Sequence, residues 1–265
     1  MTRRTLRLLP GYQCFKPFFD NIPSWFDQKG EELHRGRNTV KLIRLADGTP
    51  VVVKRYCVPN LVPRLCYTFG RRSKARRAYE FAARLNDLGI DTPAPVACIE
   101  ERNWGLFGLS YFVSLLDQRP SLEVLYDDLF LAHDELAAAF ARFLVHMHSK
   151  GFLHGDLNLS NILYEQVELP QSPGEATPGC SFRFAVIDTN RSRFCRKPSR
   201  KRCLRNLVRI THKRSLMREI VGHYARLRGW HQEKCINWVM ERLIHFEQRN
   251  KAKHALKPQT HLRQH

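Results

Sequence analysis

The sequence predicts an α+β fold of two lobes, a small β-rich N-terminal lobe followed by a mainly helical C-terminal lobe. Two observations carry the prediction. Two β-branched runs flank a turn between residues 39 and 56, and the apolar residues change to a helical period beyond Ser121. The 265 residues are 43% hydrophobic and 11% aromatic, enough apolar material for a sizeable core, which excludes wholesale disorder. No Gly-X-Y period or other repeat is present, so fibrous classes are excluded as well.

The elements follow in order. Thr39–Leu45 and Val51–Tyr56 read as paired strands around the turn Ala46-Asp-Gly-Thr-Pro50. The segment Arg71–Gly89 reads as a helix, with Ala75, Ala78, Tyr79, Ala82 and Leu85 on one face and Gly89 at the cap position. Val96–Glu101 and Leu106–Leu115 are two further strands, completing a lobe of residues 1–117 built as an antiparallel sheet with one helix. In the second lobe, residues 118–265, Leu136, Phe140, Phe143, Leu144 and Met147 mark a helix from about His133 to Lys150, ended by Gly151. His146 and His148 are expected on its exposed side. Glu168–Cys180, with three prolines and two glycines, predicts a mobile surface loop, and Phe182–Ile187 a strand that delivers Asp188. Beyond Arg191 the chain reads as helical, with Leu204, Leu207, Val208, Leu216, Ile220, Tyr224 and Leu227 buried.

Charge is unevenly placed. The chain carries a formal net charge of +19, yet residues 191–265 alone hold 21 Lys and Arg against four acids. The body is nearly balanced and the last quarter is a surface for something anionic: nucleic acid, lipid headgroups or a phosphorylated substrate. No apolar run reaches the ~18 residues of a membrane span, and the N-terminal apolar stretch is stopped by Pro10-Gly11. A cytoplasmic protein with reduced thiols is expected, since the eight cysteines show no zinc-ribbon spacing.

The sharpest segment is His154-Gly-Asp-Leu-Asn-Leu-Ser-Asn161, an Asp and an Asn separated by four residues and followed by Ile162-Leu163. Phosphoryl transfer needs a carboxylate at the attacking hydroxyl and, close by, an amide oxygen at a cation bridging the phosphates; a short loop supplies both. Asp156 is the candidate catalytic base and Asn161 a candidate Mg²⁺ ligand. Asp188, leaving the end of an apolar strand, is the second candidate metal ligand, because Mg²⁺ takes one or two protein carboxylates plus phosphate oxygens. The residues after it, Thr189-Asn190, are not the Phe-Gly of protein kinases. Lys54, inside the β-branched run 51–56, calls for an anion, and a nucleotide phosphate fits. A carboxylate must hold such a lysine, and Glu80 is the only acid in Arg71–Arg84, so the two are expected to pair. Arg55 alternates to the opposite face. Gly36, in Arg35-Gly36-Arg37-Asn38, either lets backbone approach the phosphates or is a plain hairpin turn.

Together these pieces resemble the protein-kinase-like fold and, more closely, the lipopolysaccharide-core kinases that phosphorylate 3-deoxy-D-manno-octulosonic acid (Kdo) or heptose on lipid A-linked sugar. The resemblance rests on Gly36-Arg37, Val53–Tyr56, Arg76–Glu80, Gly89–Ala97, His154–Leu163, Ile187–Arg191 and Asn206–Ile210. It implies ATP and Mg²⁺ as cofactors and Asp156 as the group taking the sugar hydroxyl's proton. Asn161 and Asp188 would hold Mg²⁺, Lys54 paired to Glu80 would contact phosphates, and adenine would lie against Ser114–Asp117. A lipid A-linked core oligosaccharide is then the substrate. The anionic inner face of the bacterial inner membrane becomes a peripheral partner of the basic last quarter, and nucleic acid is not expected as one. Two alternatives share the motifs: another small-molecule or atypical protein kinase of this fold, and a catalytically inactive basic module that binds RNA or membrane. Small-molecule kinases tend to acidic acceptor pockets, against which the basic final quarter argues.

Overall fold

A computed structural model describes residues 2–129, 133–168 and 180–255. The first lobe is a six-stranded antiparallel sheet, made of β1 (Thr2–Leu8), β2 (Glu31–Arg35), β3 (Asn38–Arg44), β4 (Pro50–Tyr56), β5 (Pro95–Asn103) and β6 (Leu106–Leu115). Their spatial order is β1-β5-β6-β4-β3-β2. In β4, Val51 and Val53 are fully buried on one face while Lys54 pairs across to Val40 and Phe112, the alternation a half-buried strand requires. Phe19, Ile22, Trp25 and Phe26 close the Val51/Val53 face as a small aromatic core. On that same face Arg55 lies over the Phe26 ring at 4.4 Å and pairs with Asp27 at 2.9 Å, so it does point away from Lys54.

Between the strands run α1 (Lys16–Asp20), α2 (Ile22–Trp25), α3 (Leu61–Thr68) and α4 (Lys74–Asp87). The expectation of one helix in this lobe is therefore corrected. Three of these four helices span eight residues or fewer, too few turns to show a period, and Pro17, Pro23 and Pro63 within them read as breakers although each occupies a first turn, where proline is tolerated. The one predicted helix is α4. Its N-cap Ser73 accepts from the Arg76 amide at 3.0 Å, and Gly89 closes it with φ 69°.

The second lobe contains α5 (His133–Ser149), the short strands β7 (Phe152–Leu153), β8 (Ile162–Glu168), β9 (Cys180–Val186) and β10 (Arg193–Phe194), then α6 (Arg200–Leu207), α7 (Arg214–Leu227) and α8 (Gln232–Ala255). The helices bury one continuous core in which Leu136, Phe140, Leu144 and Met147 of α5 meet Ile220, Val221 and Tyr224 of α7. Two buried positions differ from expectation. Leu227, at the last turn of α7, is 49% exposed, and His148 is buried, because the histidine's ring satisfies both nitrogens inside the core. Of the loop predicted over Glu168–Cys180, residues 169–179 lie outside the described residues, as does the tail beyond 255, while Glu168 ends β8 and Cys180 opens β9. Among the described residues no helix is long and apolar enough to cross a membrane.

Candidate active site

The loop after α5 is built by two close approaches that only glycine permits. Gly151 has φ 77°, and a Cβ there would lie 1.9 Å from the Cys195 carbonyl oxygen. A Cβ on Gly155 would lie 2.1 Å from the Arg191 carbonyl oxygen. Backbone therefore packs on backbone, and the pairing of β7 with β10 brings the stretch following Asp188 alongside the Asp156 loop.

His154 fastens the same two segments. Its Nδ1 accepts from the Asp156 amide at 3.1 Å, and its Nε2 meets the Ile187 carbonyl at 2.9 Å, so Nε2 carries the proton. Complete burial lowers its pKa, while the Ile187 carbonyl and the charges of Asp188 and Asp156 oppose the shift. Farther on, Asn158 turns the loop by accepting from the Asn161 amide at 3.0 Å. Asn161 Nδ2 then donates to the Asp156 carbonyl at 2.9 Å, and the Asn161 carbonyl accepts from the Ile187 amide at 3.0 Å. The four-residue spacing is thus the length of one turn that returns the amide to the aspartate. The register Ile162 to Val186 in the β8–β9 pair sets Asp188 beside it.

A cleft of about 600 Å³ separates the lobes, and Lys54, Asn161 and Asp188 all line it, with His34 above and Ser114 and Asp117 at the connecting segment. Lys54 Nζ lies 2.7 Å from Asp188 Oδ1, joining positions 134 residues apart. Asn190, buried beneath, donates from Nδ2 to the same oxygen. Where the sequence leaves the packing under Asp188 open, Thr189 and Asn190 are buried and supply it. Asp188 itself is left-handed, with φ 54° and ψ 45°.

The expected pairing of Lys54 with Glu80 is not found. Glu80 binds Arg76, one turn before it on α4, at 2.7 Å and Arg72 at 2.9 Å. Arg76 at helical spacing and Arg72 just before the helix hold this carboxylate, and Asp188 takes the lysine instead. Gly36 stands in the turn between β2 and β3, its amide donating to the Asn38 carbonyl at 3.1 Å. Leu33, His34 and Val40 of that hairpin line the cleft, whereas Gly36 lies past the lining residues.

Asp156 is held from outside the cleft. Arg191 Nη1 lies 3.1 Å from its Oδ2 and Arg209 Nη2 2.6 Å from its Oδ1. Sequence reasoning assigned neither contact, although both arginines fall in runs that carry the family resemblance. A buried relay was missed as well. His148 joins the Tyr224 hydroxyl at 2.7 Å and Asn206 Oδ1 at 3.0 Å, and Asn206 Nδ2 donates to the His154 carbonyl.

The donor set of an amide oxygen and a carboxylate is hard and suits Mg²⁺. A lysine on a carboxylate in a cleft is a ready phosphate contact once an anion enters.

Comparison with known proteins follows the same direction. The family model described as lipopolysaccharide kinase (Kdo/WaaP) matches residues 62–233, more than half of the chain. No curated protein matches in sequence. Among solved structures, WaaP in complex with acyl carrier protein is similar over 91% of this chain and 98% of that one, at 19% identity and TM-score 0.59. The Rio2 kinase of Chaetomium thermophilum, in an ADP/Mg²⁺-phosphoaspartate complex, covers 90% of this chain with 78% of its own, at 14% identity and TM-score 0.49. The fold is protein-kinase-like and the enzyme a phosphotransferase with an alcohol acceptor; the chain belongs to the lipopolysaccharide kinase (Kdo/WaaP) family.

Proposed function

We propose that the protein transfers the terminal phosphoryl group of ATP to a Kdo or heptose hydroxyl of the lipopolysaccharide inner core, on lipid A at the cytoplasmic face of the inner membrane. Asp156 accepts the hydroxyl proton as the sugar oxygen bonds to phosphorus, and the bond from that phosphorus to the bridging oxygen breaks, releasing ADP. Lys54 turns from Asp188 toward the nucleotide phosphates. Asn161 and Asp188 are the residues that would hold Mg²⁺, which when bound supplies charge neutralisation at the phosphates. The backbone of Ser114–Asp117 receives adenine, and the hairpin carrying Gly36 covers the phosphates. His154 and Asn190 keep the two acidic segments in register. One observation supports this reading above the others. Lys54, Asn161 and Asp188 meet in one cleft, and Asn161 ties Asp156 to its floor.

The test uses purified protein, radiolabelled ATP, Mg²⁺ and two acceptors, Kdo-bearing lipid A and a heptose-containing core. Label should enter one acceptor, need Mg²⁺, and be located on one sugar by mass spectrometry. Nucleotide hydrolysis with no label in either acceptor would refute the assignment.

A further inference from the structure

A second cavity, of about 380 Å³, abuts the catalytic loop at Leu153–Gly155 and shares no lining residue with the cleft. Arg191, Arg193, Arg202 and Arg205 line it, together with Gly155 and Asn206. Among the described residues no acid lines it, and Arg193, Arg202 and Arg205 have no acidic partner. Four solvent-exposed guanidiniums around one hollow sum to a positive field that a single anion can share. Its apolar wall includes Phe194, on which the Arg84 guanidinium lies at 4.1 Å.

Arg191 belongs to two constellations at once, because it lines this cavity and also pairs with Asp156. With Arg209 on the other oxygen, each oxygen of the carboxylate faces one guanidinium. Two neighbouring cations stabilise the ionised carboxylate and weaken it as a base, so it takes the acceptor proton more readily once one arginine withdraws. Arg191 is the more exposed of the two side chains, 56% against 39%, and makes the longer contact.

We propose that the arginine-lined cavity binds an anionic group of the acceptor, a carboxylate or a phosphate, and that Arg191 exchanges Asp156 for that anion. This deepens the kinase reading and rests on it. Acceptor charge then unlocks the base, so a neutral sugar that reaches the cleft leaves Asp156 engaged.

The experiment is titration calorimetry of the full chain with inorganic phosphate, with free Kdo and with uncharged Kdo methyl ester. It is repeated on Arg202→Gln/Arg205→Gln and on Arg191→Gln, each checked by melting temperature. Phosphate or Kdo should bind, the ester should not, and both variants should weaken binding at least tenfold. Phosphate alone marks a phosphorylated acceptor, and Kdo alone marks the sugar-acid carboxylate. Where the double variant is unstable, Arg205→Gln on the exposed face of α6 takes its place. Binding of neither anion, or affinity unaltered by the cavity substitutions, overturns the site. Affinity unaltered by Arg191→Gln alone overturns the exchange. Binding of Mg²⁺·ADP, measured separately, reports on the kinase reading, so the two failures are told apart.

Discussion

His148 makes acid sensitivity a measurable property of the helical lobe. The ring is 1% exposed, its Nδ1 accepting from the Tyr224 hydroxyl and its Nε2 donating to Asn206 Oδ1. Burial pushes its pKa down to about 4, against an ordinary 6.5; the Asn206 contact opposes the shift and the charge of Arg228 adds to it. The unfolded chain therefore takes the proton first. The contribution of the neutral ring is fully present above pH 6.5 and is lost as pH falls toward 4. Between pH 7 and pH 5 the loss is about 2 kcal/mol, at 1.36 kcal/mol per unit of displaced titration. Urea unfolding of the wild type and of His148→Gln, run at both pH values, isolates it, because every other titrating group is common to the two proteins. The wild type should lose about 2 kcal/mol more than the variant on acidification. Equal losses would show that the imidazole is not held neutral by its surroundings.

Four further outcomes follow from the geometry. Asp156→Asn should lower kcat by ~10²–10⁴-fold, the usual worth of a positioned base, in single-turnover assays, with the circular dichroism spectrum unchanged. Gly155→Ala puts a methyl 2.1 Å from the Arg191 carbonyl; overpacking of this kind costs about 1–3 kcal/mol, visible as a lowered melting temperature together with lost activity. Lys54→Met removes the 2.7 Å partner of Asp188 and should raise the KM for ATP at least tenfold while leaving the melting temperature within a few degrees; an unaltered KM would remove Lys54 from the phosphate site. Binding to vesicles of anionic lipid should weaken steeply when salt is raised, since screening acts beyond a Debye length of ~8–10 Å, and salt-independent flotation would count against an electrostatic hold by the basic last quarter.

Much of this architecture is legible in the text of the chain, and the reasons for what is not are physical. β3, β4, β5 and β6 announce themselves by β-branched runs and turns, and α4 and α5 by long apolar periods with glycine caps. β1 is invisible because Thr2–Leu8 lies at the sheet edge with no alternation of burial and carries three arginines, so nothing distinguishes it from a polar terminus. Asp156, Asn161, Asp188 and Lys54 are legible through spacing and strand context, and the structure brings the last three to one cleft. The partner of Lys54 was not, because choosing between Glu80 and Asp188 needs the distance between lobes. Arg209 is likewise beyond reach of pattern: its contact with Asp156 spans 53 positions and is made by the segment just after α6. His148 falls on the border of the α5 stripe, where a polar ring looks solvent-facing until its partners, 58 and 76 residues away, are known.

The left-handed bend at position 188 narrows what inheritance can do there. Side chains other than Gly, Asn and Asp strain such a backbone, by roughly 1–2 kcal/mol. Glutamate, although it keeps the charge, would have to bear that strain and project farther. Given the metal-holding role proposed for Asp188, a lineage abandoning the reaction has its easiest exit through asparagine, which keeps the bend intact while giving up the negative charge. Descendants of that kind would remain well-folded proteins, and a single side-chain atom would separate them from working enzymes.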